Sequence, residues 1–136
     1  VYGINQLRIA ELDEDFNKIP GSDKDVVKWS FREGLEGSRL YKIGEYYYIY
    51  STYGGWPAFQ TVFRSKDIYG PYEEKKLIDD DNIHQGALVE TQTGEWWTML
   101  FYDKGAYGRF PNLQPVKWVD GWPEIGENGK GVIAYQ

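Results

Sequence analysis

The sequence predicts an all-β chain built of repeated, propeller-like blades. Three observations carry that reading. The first is composition: aromatic residues make up 18% of the chain, with 12 Tyr and 6 Trp, beside 16 Gly. Aromatic side chains suit pleated, half-buried surfaces, and glycine suits tight turns. The second is an internal repeat. Glu36-Gly37-Ser38-Arg39-Leu40-Tyr41-Lys42-Ile43, a glycine turn and Glu45-Tyr46-Tyr47-Tyr48-Ile49-Tyr50 are answered further on. The answering segments are Gln85-Gly86-Ala87-Leu88-Val89-Glu90, a turn with Gly94, and Glu95-Trp96-Trp97-Thr98-Met99-Leu100-Phe101. Aligning Gly37 with Gly86 and Glu45 with Glu95 gives a period of about 50 residues, the length of a propeller blade. The third is that no stretch of helical length repeats its apolar residues with helical spacing.

The elements follow in order. Gln6 to Leu12 reads as a strand, and Asp13 to Lys18 as a single turn. Residues 19–30 form a loop entering a short strand at Val26-Val27-Lys28-Trp29. The first hairpin comes next, then a third strand, Thr61 to Ser65, leading into Tyr69-Gly70-Pro71-Tyr72. The second hairpin is followed by Gln114 to Val119, leading into Gly121-Trp122-Pro123. Gln6 to Leu12 matches these third strands, so it closes an earlier blade. Residues 1–136 therefore form one domain, an all-β partial propeller of about two and a half blades. The chain starts inside a strand, which predicts truncation on its N-terminal side. Open blade faces are apolar, so pairing of two copies to complete the ring is expected.

A formal net charge of −6 leaves no basic footprint, which excludes bulk nucleic-acid binding. The run Asp79-Asp80-Asp81 reads as a solvated loop. There is no cysteine, so disulfides and thiolate metal sites are excluded and the cellular compartment stays open. No apolar run is long enough to span a membrane.

Five strings, in this order, resemble glycoside hydrolase family 43, the five-bladed β-propeller β-xylosidases and α-L-arabinofuranosidases. They are Val1 to Leu12, Leu35-Glu36-Gly37-Ser38 through Tyr50, Arg64-Ser65-Lys66-Asp67-Ile68-Tyr69-Gly70-Pro71-Tyr72-Glu73, His84 to Val89, and Tyr107-Gly108-Arg109-Phe110-Pro111 through Pro123. Together they cover nearly the whole chain, roughly the end of a second blade through a fourth.

The resemblance implies an inverting glycosidase acting on xylosidic or arabinofuranosidic bonds of hemicellulose, with xylo- or arabino-oligosaccharides as substrates. Such an enzyme needs one carboxylic acid to protonate the leaving oxygen. A second carboxylate, roughly 6.5–9.5 Å away, activates water on the opposite face of the sugar. The resemblance makes Glu36, before Gly37 at the start of an innermost strand, the general acid. It places the general-base Asp, and a second Asp that tunes the acid, before residue 1, so this chain carries the acid half of the site; the alternative reading is a non-catalytic carbohydrate-binding or inactive truncated fragment. No cofactor is required. His84, the one histidine, is implied to lie at the propeller axis near the sugar, where a family Ca²⁺ is held through water. Arg109 is the match for an arginine that reaches the terminal sugar.

Other candidates rest on residue chemistry. Trp56, in the loop Tyr53-Gly54-Gly55-Trp56-Pro57 with Phe59 beyond, is a candidate sugar platform, because blade-end loops carry specificity. Gln85 is placed in the position equivalent to Glu36, near the axis. Trp96 and Trp97 face opposite sides of one strand and are expected between blades. Asp103 ends a strand, but nothing in the spacing sets it opposite Glu36.

Overall fold

A computed structural model of the chain describes residues 1–78 and 83–132; the Asp79-Asp80-Asp81 run lies outside the described residues. Three antiparallel sheets form among them, each with its strands in sequence order. Blade A is the pair β1 (Gln6–Ile9) and β2 (Lys24–Lys28). Blade B is the meander β3 (Leu35–Ile43), β4 (Tyr46–Tyr53), β5 (Phe59–Ser65) and β6 (Glu73–Ile78). Blade C repeats it with β7 (Ile83–Glu90), β8 (Trp96–Asp103), β9 (Arg109–Val119) and β10 (Trp122–Ile125). The expected all-β partial propeller is thus present. Each full blade has a fourth strand, β6 or β10, that the sequence reading did not assign.

Turn chemistry closes the hairpins. Ile43 pairs with Tyr46, leaving Gly44-Glu45 as a two-residue loop with Gly44 at φ 56°. Val119 pairs with Trp122 around Asp120-Gly121, both with positive φ, the combination that matches strand twist in the shortest hairpins.

Blade B is covered on both faces, which is why β4 and β5 are buried almost without interruption. On one side Leu7, Ile9 and Val27 of blade A meet Leu35, Ile49, Tyr53, Phe59 and Phe63. On the other, Tyr48, Tyr50, Val62 and Ile78 meet Ile83, Leu88, Leu100, Val116 and Ile125 of blade C. Polar groups stitch this second seam. Leu88 N–H donates to the Tyr41 hydroxyl at 3.0 Å, Tyr48 OH donates to the Gly121 carbonyl at 2.7 Å, and the Tyr50 and Thr98 hydroxyls bond at 3.0 Å.

Among the described residues, blade C is packed on one face. Trp96 joins the B–C core. Trp97 points the other way by strand alternation, on the face that leaves Val89, Met99 and Leu113 about half exposed. The expectation that both tryptophans lie between blades therefore holds for Trp96 alone.

Candidate active site

The site is built by a backbone device used twice. In β3, Glu36 pairs with Thr52 and Arg39 with Tyr50, so Gly37 and Ser38 oppose a single residue. In β7, His84 pairs with Phe101 and Ala87 with Met99, so Gln85 and Gly86 do the same. These are β-bulges, and the first extra residue of each is left-handed: Gly37 at φ 63°, Gln85 at φ 56°. Superposing the bulges sets His84 on Glu36 and Gln85 on Gly37. This corrects the alignment of Gly37 with Gly86, which set Gln85 on Glu36.

The two glycines that drove that alignment have different reasons to be glycine. Gly37 supplies the left-handed φ. Gly86 supplies room, since a β-carbon there would lie 2.9 Å from Leu100 Cδ2 and Thr98 Oγ1. Gln85 adopts the left-handed conformation at a cost, and blade B offsets it with hydrogen bonds. The Thr52 hydroxyl accepts from Gln85 N–H at 3.3 Å, and the buried Gln60 Oε1 accepts from Gly86 N–H at 2.9 Å.

Both bulges open onto one cavity of about 540 Å³. Its lining brings together Glu36, His84 and Gln85 from the bulges, Gly55 and Trp56 from the β4–β5 loop, Asp103 and Gly105 after β8, and Arg109 opening β9. The β4–β5 and β8–β9 loops occupy the same place in successive blades, and both line the cavity.

Each side chain has a distinct setting. The Glu36 carboxyl rests against Gly54, where any β-carbon would collide with Oε1. The Glu36 carbonyl is held by the Ser51 hydroxyl at 2.9 Å. His84 is buried, its ring edge-on to Phe101 at a 4.4 Å centroid separation. The Arg109 guanidinium lies over the same Phe101 ring at 4.7 Å. Arg109 Nε is 3.6 Å from Asp103 Oδ2, and Asp103 Oδ1 accepts from Gly105 N–H at 3.0 Å. Phe101 is thus a shared support for His84 and Arg109 that sequence reasoning missed; its place directly across from His84 in the ladder was the available signal. Gln85 lies over Gly37, where a β-carbon would stand 3.2 Å from its Cγ.

Trp56 is 82% exposed at the cavity wall. Its loop companions are not: Tyr53 and Phe59 are buried and stacked at 4.7 Å, part of the A–B core. Among the described residues no group of three or more His, Asp or Glu is placed to hold a metal.

Comparison with known proteins adds a lineage to this geometry. The model of "Glycosyl hydrolases family 43" matches residues 2–123. A "Beta-xylosidase" of Formosa agariphila is 35% identical over 94% of this chain and 26% of its own length. A "Non-reducing end alpha-L-arabinofuranosidase" of Bacteroides ovatus is 33% identical over 69% of the chain and 22% of its own length. A bifunctional GH43-CE structure from Bacteroides eggerthii superposes with a TM-score of 0.87 at 37% identity, covering 96% of this chain and 18% of that one. The chain therefore spans about a quarter of the length of the curated relatives it matches. Sequence, blade architecture and superposition agree that this chain belongs to glycosyl hydrolase family 43.

Proposed function

We propose that the chain is the acid-bearing part of a glycosidase that cleaves terminal xylosidic or arabinofuranosidic bonds of hemicellulose by inversion. The observation that carries this reading is the convergence of Glu36, His84, Gln85, Arg109 and Trp56 on one cavity. The names of the relatives support the substrate class, and the family resemblance supports inversion.

In this reading Glu36 protonates the leaving oxygen. The guanidinium of Arg109, supported beneath by Phe101, donates paired hydrogen bonds to sugar hydroxyls. Trp56 offers its exposed face to a sugar ring, and His84 and Gln85 hydrogen-bond near the axis. The water-activating carboxylate is a different group. Among the described residues Asp103 is the other carboxylate lining the cavity, and it is committed to Arg109 and to the turn at Gly105. The isolated chain is therefore an acid half-site, which binds sugar without turning it over.

The reading requires no cofactor. Among the described residues no three His, Asp or Glu stand together as direct metal ligands, so a Ca²⁺ near His84 would be one held through water. We further propose that the half-exposed face of blade C seats a second copy of the chain.

Calorimetric titration with xylobiose and an arabinofuranosyl oligosaccharide tests the site. Binding is expected, weakened about tenfold or more by Arg109→Ala and retained by Glu36→Gln. Nitrophenyl glycosides are expected to survive incubation with the chain. Turnover that vanishes in Glu36→Ala would show that a base is supplied within the chain or its assembly. No sugar binding at all would overturn the reading.

A further inference from the structure

Arg32 lies outside the cavity, on the loop between β2 and β3, yet it holds part of the cavity wall. Its Nη1 donates to the Glu33 carbonyl at 2.7 Å. Its Nη2 donates to the carbonyls of Gly54 at 2.7 Å and Pro57 at 2.6 Å. One nitrogen thus ties both ends of the segment Gly54-Gly55-Trp56-Pro57. These carbonyls stand outside the strand ladders, and a guanidinium with its fixed fork of donors satisfies them together. The guanidinium also faces the buried Tyr53 ring at 5.8 Å.

The passage for this side chain is built by a glycine. Gly34 has φ 107°, and a β-carbon there would lie 2.8 Å from Arg32 Nη1 and 3.1 Å from the Gly54 carbonyl. Gly54 N–H in turn donates to the Gly34 carbonyl at 2.8 Å. On its other side Gly54 abuts the Glu36 carboxyl. Guanidinium, loop backbone and acid are therefore layered in that order.

We infer that Arg32 is a positioning residue for this site: it sets the Gly54–Pro57 loop so that Trp56 stands at the cavity wall and Gly54 backs Glu36. It touches no sugar and acts through the loop. The inference rests on the sugar-site reading above, but its first arm needs no sugar.

The chain is labelled with fluorotryptophan, and the Trp56 fluorine NMR signal is assigned with Trp56→Phe. In Arg32→Gln the Trp56 signal is expected to shift while the other tryptophan signals stay in place. Xylobiose affinity is expected to fall about tenfold, the worth of one aromatic contact. In a Trp56→Ala background the same Arg32→Gln change is expected to cost no further affinity, because its route to the ligand is gone. Arg32→Lys, which keeps the charge but not the fork, should give a smaller shift in the same direction. It carries the test if Arg32→Gln collapses every signal. An unmoved Trp56 signal, or an equal loss of affinity with and without Trp56, overturns the inference. A wild-type chain that binds no sugar defeats the site reading instead and leaves the fluorine signals to decide Arg32.

Discussion

Glu36 rests on a stretch of backbone that carries no side chain, and the absence is specific to Gly54. Its φ is not in the left-handed region, so glycine matters there only for the space it leaves to the Glu36 carboxyl. Adding a methyl group at Gly54 meets the far end of a flexible side chain, which can swing away. Adding one at Gly86 meets Thr98 and Leu100, both buried in the blade seam. Gly54→Ala should therefore cost stability only within about 1 kcal/mol, yet displace the Glu36 carboxyl. Gly86→Ala should cost about 1–3 kcal/mol by overpacking. Urea denaturation measures the first quantity, and the Glu36 carboxyl-carbon NMR signal the second effect. A Glu36 signal unchanged in Gly54→Ala would refute the contact. Glu36 and Arg109 stand out in the sequence by the strings they sit in and Trp56 by its glycine-rich loop, and all three line the cavity. The sequence could not show Arg32 tied to the Gly54–Pro57 loop, because its partners there are carbonyls, and any residue type supplies a carbonyl.

The seam between blades B and C is expected to weaken in alkali. Tyr50 is fully buried across β4 and β8, and burial pushes its hydroxyl well above the ordinary 10.0. Tyr72, donating to the Ile68 carbonyl at 2.7 Å, is raised for the same reason. An unfolded tyrosine loses its proton near pH 10 while the folded one keeps it, so above that point the native state binds more protons. The Tyr50 contribution is thus complete below pH 10 and declines as pH rises from there toward the folded value. Urea midpoints should fall with alkalinity in that window. Tyr50→Phe should flatten the slope and cost about 1 kcal/mol at neutral pH, since the Thr98 hydroxyl loses its partner. A slope as steep in Tyr50→Phe would exclude Tyr50 as its source. The repeat of Glu45 to Tyr50 in Glu95 to Leu100 made β4 and β8 readable. The charged run Glu73-Glu74-Lys75-Lys76 hid β6, an edge strand with no apolar alternation to betray it. The blade register slipped by one because a glutamine, Gln85, holds the left-handed position that the sequence pattern assigns to glycine.

Taken whole, the molecule is asymmetric in what it covers. Blade B is enclosed, while blade C presents Val89, Met99 and Leu113 on an open sheet face. Contiguous apolar surface of this kind is a site of association. Sedimentation of the chain at micromolar concentration is expected to show a concentration-dependent dimer. The combined change Met99→Lys and Leu113→Lys is expected to return it to monomer without lowering the melting temperature, since both side chains point away from the seam. A wild-type chain that sediments as a monomer rules out self-association.

Because successive blades repeat the same bulge, whichever residue stands just before its left-handed position is delivered to the same cavity. A carboxylic acid fills that place in one blade and an imidazole in the next, on the same backbone course. The bulge works as a mould with interchangeable inserts, separating the delivered side chain from the frame that carries it. A different side chain in this cavity then calls for a new insert in one blade, with strand order, seam and loops left as they are.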